Sequence, residues 1–396
     1  MTPISRRAIL LALPVATIAA AVGPNAVANA AGPAKLTFTI SNNSGLDQQL
    51  FLYVLGTDLA TGRLGYVNQS GNFTPWPRGA NPPAPAPDVS ITGAGKGGSS
   101  SLQVPKGFSG RIYLAFGSKL DFRLTPDGLV QPAESNPSDP NYNILFDFSE
   151  FTYNDAGIWL NSSQVDMFAV PHTVSVTGQN GVTKKAGALV PQGRKNIISQ
   201  IRALPDWQRS VIQRSDGTVV RILSAGKATG VGLLDSKYLD AEIARAWSTY
   251  ANKPLTVVPF GDRPAVKFTG RTQGDTMVFT DTSGNRVASF NKPSSANVWN
   301  CDGNLQAPND QVVGPIARTL GAALNRSTLA DYDQQPTLNP STFYTKDRTN
   351  HYARVVHANM ADKKAYAFPF DDVGAQESLV QDGNPQSAAI EITSFN

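Results

Sequence analysis

Apolar and polar residues alternate with a period of two through much of the first half of the chain. Leu36-Thr-Phe-Thr-Ile40 alternates strictly, and Gln49–Leu55 and Arg111–Phe116 are rich in aromatic and β-branched residues between turn formers, so all three predict strands. Ser149–Tyr153 and Val165–Val176 continue that character. The proline-rich Asn81–Pro87 and the Gly/Ser-rich stretch 93–101 predict exposed loops. Near residue 190 the pattern becomes helical. Ile197, Ile198, Ile201 and Leu204 share one face of a helix over 194–204, which Pro205 ends. Leu239, Ile243, Ala246, Trp247 and Tyr250 do the same over 237–250, and 312–324 predicts a third helix with Pro315 tolerated near its start. Short strands are expected at 255–258, 266–268, 276–280 and 286–290, the last two joined by a turn at Asp281–Gly284. From Tyr352 to Thr393 the chain is β-like again. The expected fold is therefore mainly β with an α/β part. A β domain over 31–190, completed by 345–396, carries an inserted mixed α/β domain over 191–344, and the cleft between two such bodies is a usual place for a site.

The first thirty residues change the picture of where the chain works. Arg6 and Arg7 precede an apolar run from Ala8 to Val22, and Ala28-Asn29-Ala30 offers the small residues of a cleavage site. This pattern predicts a secretory signal peptide over 1–30 and an extracellular protein; Ser5-Arg6-Arg7 fits a twin-arginine signal as well as an ordinary one. The formal charge of +4 falls to +2 when Arg6 and Arg7 leave with the leader. A nearly neutral surface argues against nucleic acid or anionic membrane as the partner and suits an uncharged polymer such as a polysaccharide. Cys301 is the single cysteine, so no intrachain disulfide is possible, and a buried, inert thiol is the expected reading. His351 and His357 have no Cys or acid at ligand spacing, so neither a metal site nor a cofactor is expected.

The densest chemistry lies between Asp147 and Pro171, with four acids, a tryptophan and several amides. Within the strand-like run 148–153, Glu150 and Thr152 share a face opposite Phe151 and Tyr153. Asp166 directly precedes the apolar run Met167–Val170, where a carboxylate is costly unless it is paired or working. Hydrolysis of a glycosidic bond needs two carboxyls, one protonated to serve the leaving oxygen and one ionised to act on water or carbon. Glu150 and Asp166 on adjoining strands of one sheet would meet that need. Trp159 offers a face for a sugar ring, and Thr152, Asn154 and Asn161 offer hydrogen bonds to hydroxyls. On the residues alone, ordinary strand and loop acids explain the pair better than catalysis does, because acid pairs are common; Asp147 and Asp155 fit surface or turn acids.

Four segments resemble thaumatin-like proteins. Ser149-Glu150-Phe151-Thr152-Tyr153-Asn154 is similar to their Ala-Glu-Phe-Thr-Leu-Asn segment, and Val165-Asp166-Met-Phe168-Ala-Val-Pro171 to their Val-Asp-Gly-Phe-Asn-Val-Pro. Gly107–Tyr113 resembles Trp-Ser-Gly-Arg-Phe-Trp, and Ala365–Asp372 resembles Tyr-Ser-Tyr-Pro-Gln-Asp-Asp. The chain lacks the many cysteines of ordinary thaumatin-like proteins and is far longer. Both departures are shared by the glycoside hydrolase family 64 β-1,3-glucanases, which the chain resembles from about Leu36 to Ile392. That resemblance implies a thaumatin-like β domain and a mixed α/β domain around a wide groove. It also implies an inverting, endo-acting enzyme that releases laminaripentaose from β-1,3-glucan, with no cofactor and no partner beyond the glucan. Glu150 would be the general acid and Asp166 the general base, while Thr152, Asn154, Trp159 and Ser163 would hold the glucan, Ser163 standing where the family has threonine.

Weaker candidates remain open at this level. Trp299 and Asp302, within Asn297–Asn304, read equally as sugar-contact residues or as core and surface; Asp371 and Asp372 read as cleft acids or a turn; His172 reads as a sugar contact or a packed neutral histidine. The glycine-rich 226–232 lacks phosphate-loop spacing. The competing function is a thaumatin-like module that grips β-glucan without cutting it, since fold resemblance alone does not separate binder from enzyme.

Overall fold

The computed structural model describes residues 32–395, so the signal peptide expected at 1–30 lies outside the described residues. Two sheets form the β part. The first runs, in spatial order, Thr183–Ala186, His172–Gly178, Pro385–Ile392, Lys35–Asn42 and Ser99–Pro105. The second is built on Leu379–Asp382, Gly157–Ser162, Leu145–Asn154, Phe108–Phe116 and Leu50–Asp58, with short strands at its far edge. Alternation explains their packing. Leu36, Phe38, Ile40, Val174, Val176, Ile390 and Ile392 bury one face of the first sheet; Ile112, Phe151, Tyr153, Ile158 and Leu160 bury one face of the second. The Phe38 and Phe151 rings meet 5.7 Å apart across the interface. Because Phe151 and Tyr153 point into this core, Glu150, Thr152 and Asn154 must point away from it.

The last long strand lies in the middle of the first sheet. Thr37–Asn42 pairs in parallel with Ser387–Ile392, and His172–Thr177 pairs antiparallel with the same strand. Residues more than 340 positions apart therefore share one ladder.

Between these ends lie the expected helices, at Gly193–Arg202, Asp240–Asn252 and Val313–Asn325. A five-stranded sheet orders Arg286–Asn291, Thr276–Thr280, Phe268–Gln273, Leu255–Val257 and Gln334–Gln335. Trp247 anchors the second helix to it by donating its indole N–H to the Asp275 carbonyl at 3.2 Å.

One expectation fails locally. The tail is not uniformly β: His351–Asn359 is an α-helix, started by Asn350, whose side chain accepts from the Ala353 N–H. Seven of its nine residues are buried, so it shows no polar face to betray a helical period. Most of the glycine-rich 226–232 belongs to a short helix, Ala225–Gly230. Gly226 is needed there because a Cβ would stand 2.2 Å from Asn300 Oδ1 on the packed helix Ser295–Asn300.

Candidate active site

The register of the second sheet lays out the polar face row by row. Arg111 on Phe108–Phe116 stands opposite Glu150, which stands opposite Asn161 on Gly157–Ser162. The next row is Ser109, Thr152, Trp159 and Gln381. Side chains paired in this way share a face. Thr152 and Ser109 hydroxyls lie 2.8 Å apart. Asn154 Oδ1 accepts from the Ala156 N–H and shapes the turn before Gly157.

Asp166 reaches the site by a different route. It is not on a strand adjoining Glu150, as the sequence suggested. After Ser162 the chain leaves the sheet, because the Gln164 N–H donates to Tyr366 rather than continuing the ladder. Met167–Phe168 then pairs with Ile222–Leu223 in a separate three-stranded sheet. The loop is held at several points. Tyr352 donates to the Gln164 carbonyl at 2.7 Å, Ser224 N–H to the Asp166 carbonyl at 3.1 Å, and Arg194 Nε to the Ala169 carbonyl at 3.0 Å. Asp147 supplies the clamp to the Glu150 strand, its Oδ2 accepting from the Ala169 and Val170 N–H groups at 2.9 Å each. Asp147 is thus buried, not the surface acid expected; burial pushes its pKa up to about 7 against the lowering effect of those N–H bonds.

Arg111 joins the two acids. Glu150 Oε1 takes Nε at 3.1 Å and Nη2 at 3.0 Å, while Asp166 Oδ2 lies 3.4 Å from Nη1. The guanidinium lies 4.0 Å from the centre of the Phe148 ring, which fixes its plane. Lys227, on the short helix after Ser224, sits 3.3 Å from Asp166 Oδ1. It also lies 2.8 Å from Glu134 Oε1, an ion pair by distance that is not aligned as a hydrogen bond. Burial alone would raise the Asp166 pKa; Lys227 and then Arg111 outweigh it and hold the carboxyl below its ordinary value. One carboxylate is thereby kept ionised, while Glu150 Oε2 has no hydrogen bond to the described residues. Two carboxyls around one guanidinium, one of them held ionised, are a pair that can serve acid–base chemistry.

A family model described as β-1,3-glucanase, glycoside hydrolase family 64, matches residues 34–392. The chain belongs to glycoside hydrolase family 64. Glucan endo-1,3-β-glucosidases of Arthrobacter sp. (strain YCWD3) and of Cellulosimicrobium cellulans are each 45% identical to it over 395 residues, covering 99% of this chain and 71% of theirs. A laminaripentaose-producing β-1,3-glucanase solved with laminaritetraose is 48% identical, superposes with a TM-score of 0.89, and covers 92% of this chain and all of its own.

The remaining site candidates of this family 64 chain scatter. Trp159 is in the Thr152 row but only 7% exposed, so most of its ring is covered by protein. Ser163 is buried beside the site, with an unpaired hydroxyl. Trp299 is core and not a groove residue: it is 2% exposed and packs edge-on against Trp207, with ring centres 6.1 Å apart. Asp302 is exposed, accepts from Asn297 and makes no contact with Glu150 or Asp166. Asp371 is fully buried between Arg326 and His357, so it serves the fold and lines no cleft, whereas Asp372 pairs with Arg318. His172 is buried with Nδ1 bonded to the Val170 carbonyl, and burial lowers its pKa to about 4, leaving it neutral. Arg111, Lys227 and Glu134 were missed from sequence. Arg111 fell inside a quoted strand, but only its cross-strand register shows that it faces Glu150.

Proposed function

We propose that this family 64 protein is an endo-acting β-1,3-glucanase that cleaves by inversion, with Glu150 as general acid and Asp166 as general base. The observation that carries this reading is the shared guanidinium of Arg111. It bounds the separation of Glu150 Oε1 and Asp166 Oδ2 to no more than about 9 Å, given the planar fork of a guanidinium. That ceiling admits the roughly 6.5–9.5 Å of inverting enzymes and the roughly 5–5.5 Å of retaining ones alike, so inversion rests on the family likeness. Asp166, kept ionised by Lys227 and Arg111, accepts the proton of a water that attacks the anomeric carbon from the face opposite the leaving oxygen. Glu150 gives the proton from Oε2 to that oxygen as the C–O bond breaks, because Oε1 is occupied by Arg111. Thr152, Asn154 and Trp159 then border the glucan along the Glu150 strand, and Ser163 contacts it behind Glu150.

The family likeness supports the finer parts of this proposal: a thaumatin-like β domain beside a mixed α/β domain with the groove between them, and laminaripentaose as the main product. The leader pattern expected at 1–30 supports export, with the mature protein acting outside the cell; a monomer working on linear glucan completes the proposal. The test is to chromatograph the products of mature protein with a linear β-1,3-glucan over time. A dominant five-sugar product from the first points carries the reading. Protein that pellets with glucan and releases no sugar means a binding module instead. Glu150→Gln should lower turnover about a hundredfold or more while glucan binding persists. Asp166→Asn should lose activity and regain it with azide, giving the inverted azide adduct; an unreacted mixture removes the base assignment.

A further inference from the structure

We propose that Glu134 is a positioning residue for the reaction: it holds Lys227 between its own carboxylate and that of Asp166 and takes up part of the lysine's charge, so the proposed base stays ionised and still strong enough to accept a proton from water. The proposal rests on the glucanase reading and deepens it.

The geometry is a row of three. Lys227 Nζ lies 2.8 Å from Glu134 Oε1 and 3.3 Å from Asp166 Oδ1. The lysine is therefore nearer to the acid that does no chemistry than to the one that does. Two carboxylate oxygens that share one ammonium in this way stand no more than about 6 Å apart, a range at which like charges raise each other's affinity for protons. Glu134 is only 7% exposed, so its carboxylate depends on a cation and not on water. Burial alone would lower the Lys227 pKa; Asp166 and then Glu134 outweigh it and keep the ammonium charged.

Several contacts keep Glu134 in place. It lies in the loop between Gly128–Val130 and Leu145–Asn154. The fully buried Arg221 donates from Nη1 to the Glu134 carbonyl at 2.9 Å and from Nη2 to the Ile144 carbonyl at the far end of that loop. Arg221 directly precedes Ile222, which pairs with Phe168 just beyond Asp166. One side chain thus ties the Glu134 loop to the segment that carries Asp166. Three residues before Glu134, Gln131 Oε1 accepts from the Tyr113 hydroxyl at 2.8 Å and lies 3.4 Å from Arg111 Nη1. The same loop reaches both cations beside Asp166, through Gln131 to Arg111 and through Glu134 to Lys227.

Charge decides what Glu134 does there. A Lys227 that served Asp166 alone would favour its ionised form further and make it a weaker base. With no lysine at all, Glu134 and Asp166 would face each other without a cation between them. The other groups around Asp166 do not replace Glu134: Arg111 is shared with Glu150, and burial raises the pKa values of Tyr113 and Tyr352, which stay neutral.

The pH profile of activity on linear β-1,3-glucan tests the assignment. Glu134→Gln keeps the shape and an acceptor for Lys227 and removes the charge. The acid limb of kcat/KM should then move to lower pH by about one unit, and the plateau kcat should fall about threefold with KM held, as a weaker base requires. Lys227→Met moves the limb the other way. Adding Glu134→Gln to Lys227→Met removes the repulsion that the lysine had masked, so it should bring the limb back down and recover activity on the acid side. A Glu134 that serves only the fold gives no such rescue. Should Glu134→Gln not fold, Glu134→Met removes the same charge without an amide to satisfy and should shift the limb in the same direction. An acid limb that holds its place or rises in the folded single variant overturns the proposal, as does a double variant that behaves like Lys227→Met. Those results leave the glucanase reading standing; a wild-type protein that leaves the glucan uncut overturns that reading, and the role of Glu134 with it.

Discussion

Lys227 and Arg111 set the charge state of Asp166 against the effect of its burial. A partly buried Asp166 would otherwise take up a proton too readily to serve as a base. Its two oxygens instead face two cations, one from the Phe108–Phe116 strand and one from the Ala225–Gly230 helix. The sign of a substitution follows. Replacing Lys227 by Met removes a charge that favours the ionised form, so the Asp166 pKa rises and less base is available at low pH. The acid limb of the kcat/KM profile should therefore move to higher pH, with activity partly regained toward neutrality. An acid limb that stays put in Lys227→Met would mean that Asp166 does not titrate in that limb.

At the scale of elements, the site is a junction between a rigid strand and a clamped loop. Glu150 is fixed by its ladder; Asp166 is placed by contacts from four separate parts of the chain, and Asp147 is the contact that ties its loop to the Glu150 strand. Asp147→Ala strands three N–H groups, those of Phe148, Ala169 and Val170, and at about 1 kcal/mol or more each this should cost roughly 3 kcal/mol or more of stability. Calorimetric melting measures it, and turnover should fall too, because Asp166, the proposed base, loses its register. The pH dependence is also determined. The Asp147 pKa is raised in the folded state from 3.8 to about 7, so the folded protein binds the proton more tightly than the unfolded chain. Its contribution is most favourable below the unfolded pKa, is lost as pH rises from about 4 to 7, and is constant above. Asp147→Asn should remove that decline; an unchanged pH–stability curve would show that Asp147 is not its source.

For the whole molecule, closure replaces cross-linking. The only cysteine is buried and its thiol pKa is pushed well up by burial, so covalent staples play no part. What joins the ends of the described chain is the strand Pro385–Ile392, seated between Lys35–Asn42 and His172–Gly178. Its Ile390 and Ile392 are fully buried in the core. Ending the chain after Gly383 would split the five-stranded sheet and expose both new edges, so the truncated protein should lack a cooperative thermal transition and aggregate. A truncated chain that melts cooperatively near the wild-type temperature would show that this strand is dispensable.

Local patterning determined most of the elements. Strands with one buried face alternate, and helices with one buried face repeat every three to four residues, so Lys35–Asn42, Leu145–Asn154 and Asp240–Asn252 were legible from the sequence. The family was legible through the motifs around Glu150 and Asp166. His351–Asn359 was not, because a helix buried on nearly every side carries no period to read. Nor was the core position of Trp299, since a large aromatic reads the same in a groove or in a core until its neighbours are known. The groups that tune the site were beyond reach for a physical reason. Arg111 and Lys227 act on Asp166 from 55 and 61 residues away, through cross-strand register and helix placement, and electrostatic work depends on distance in space and not on spacing along the chain.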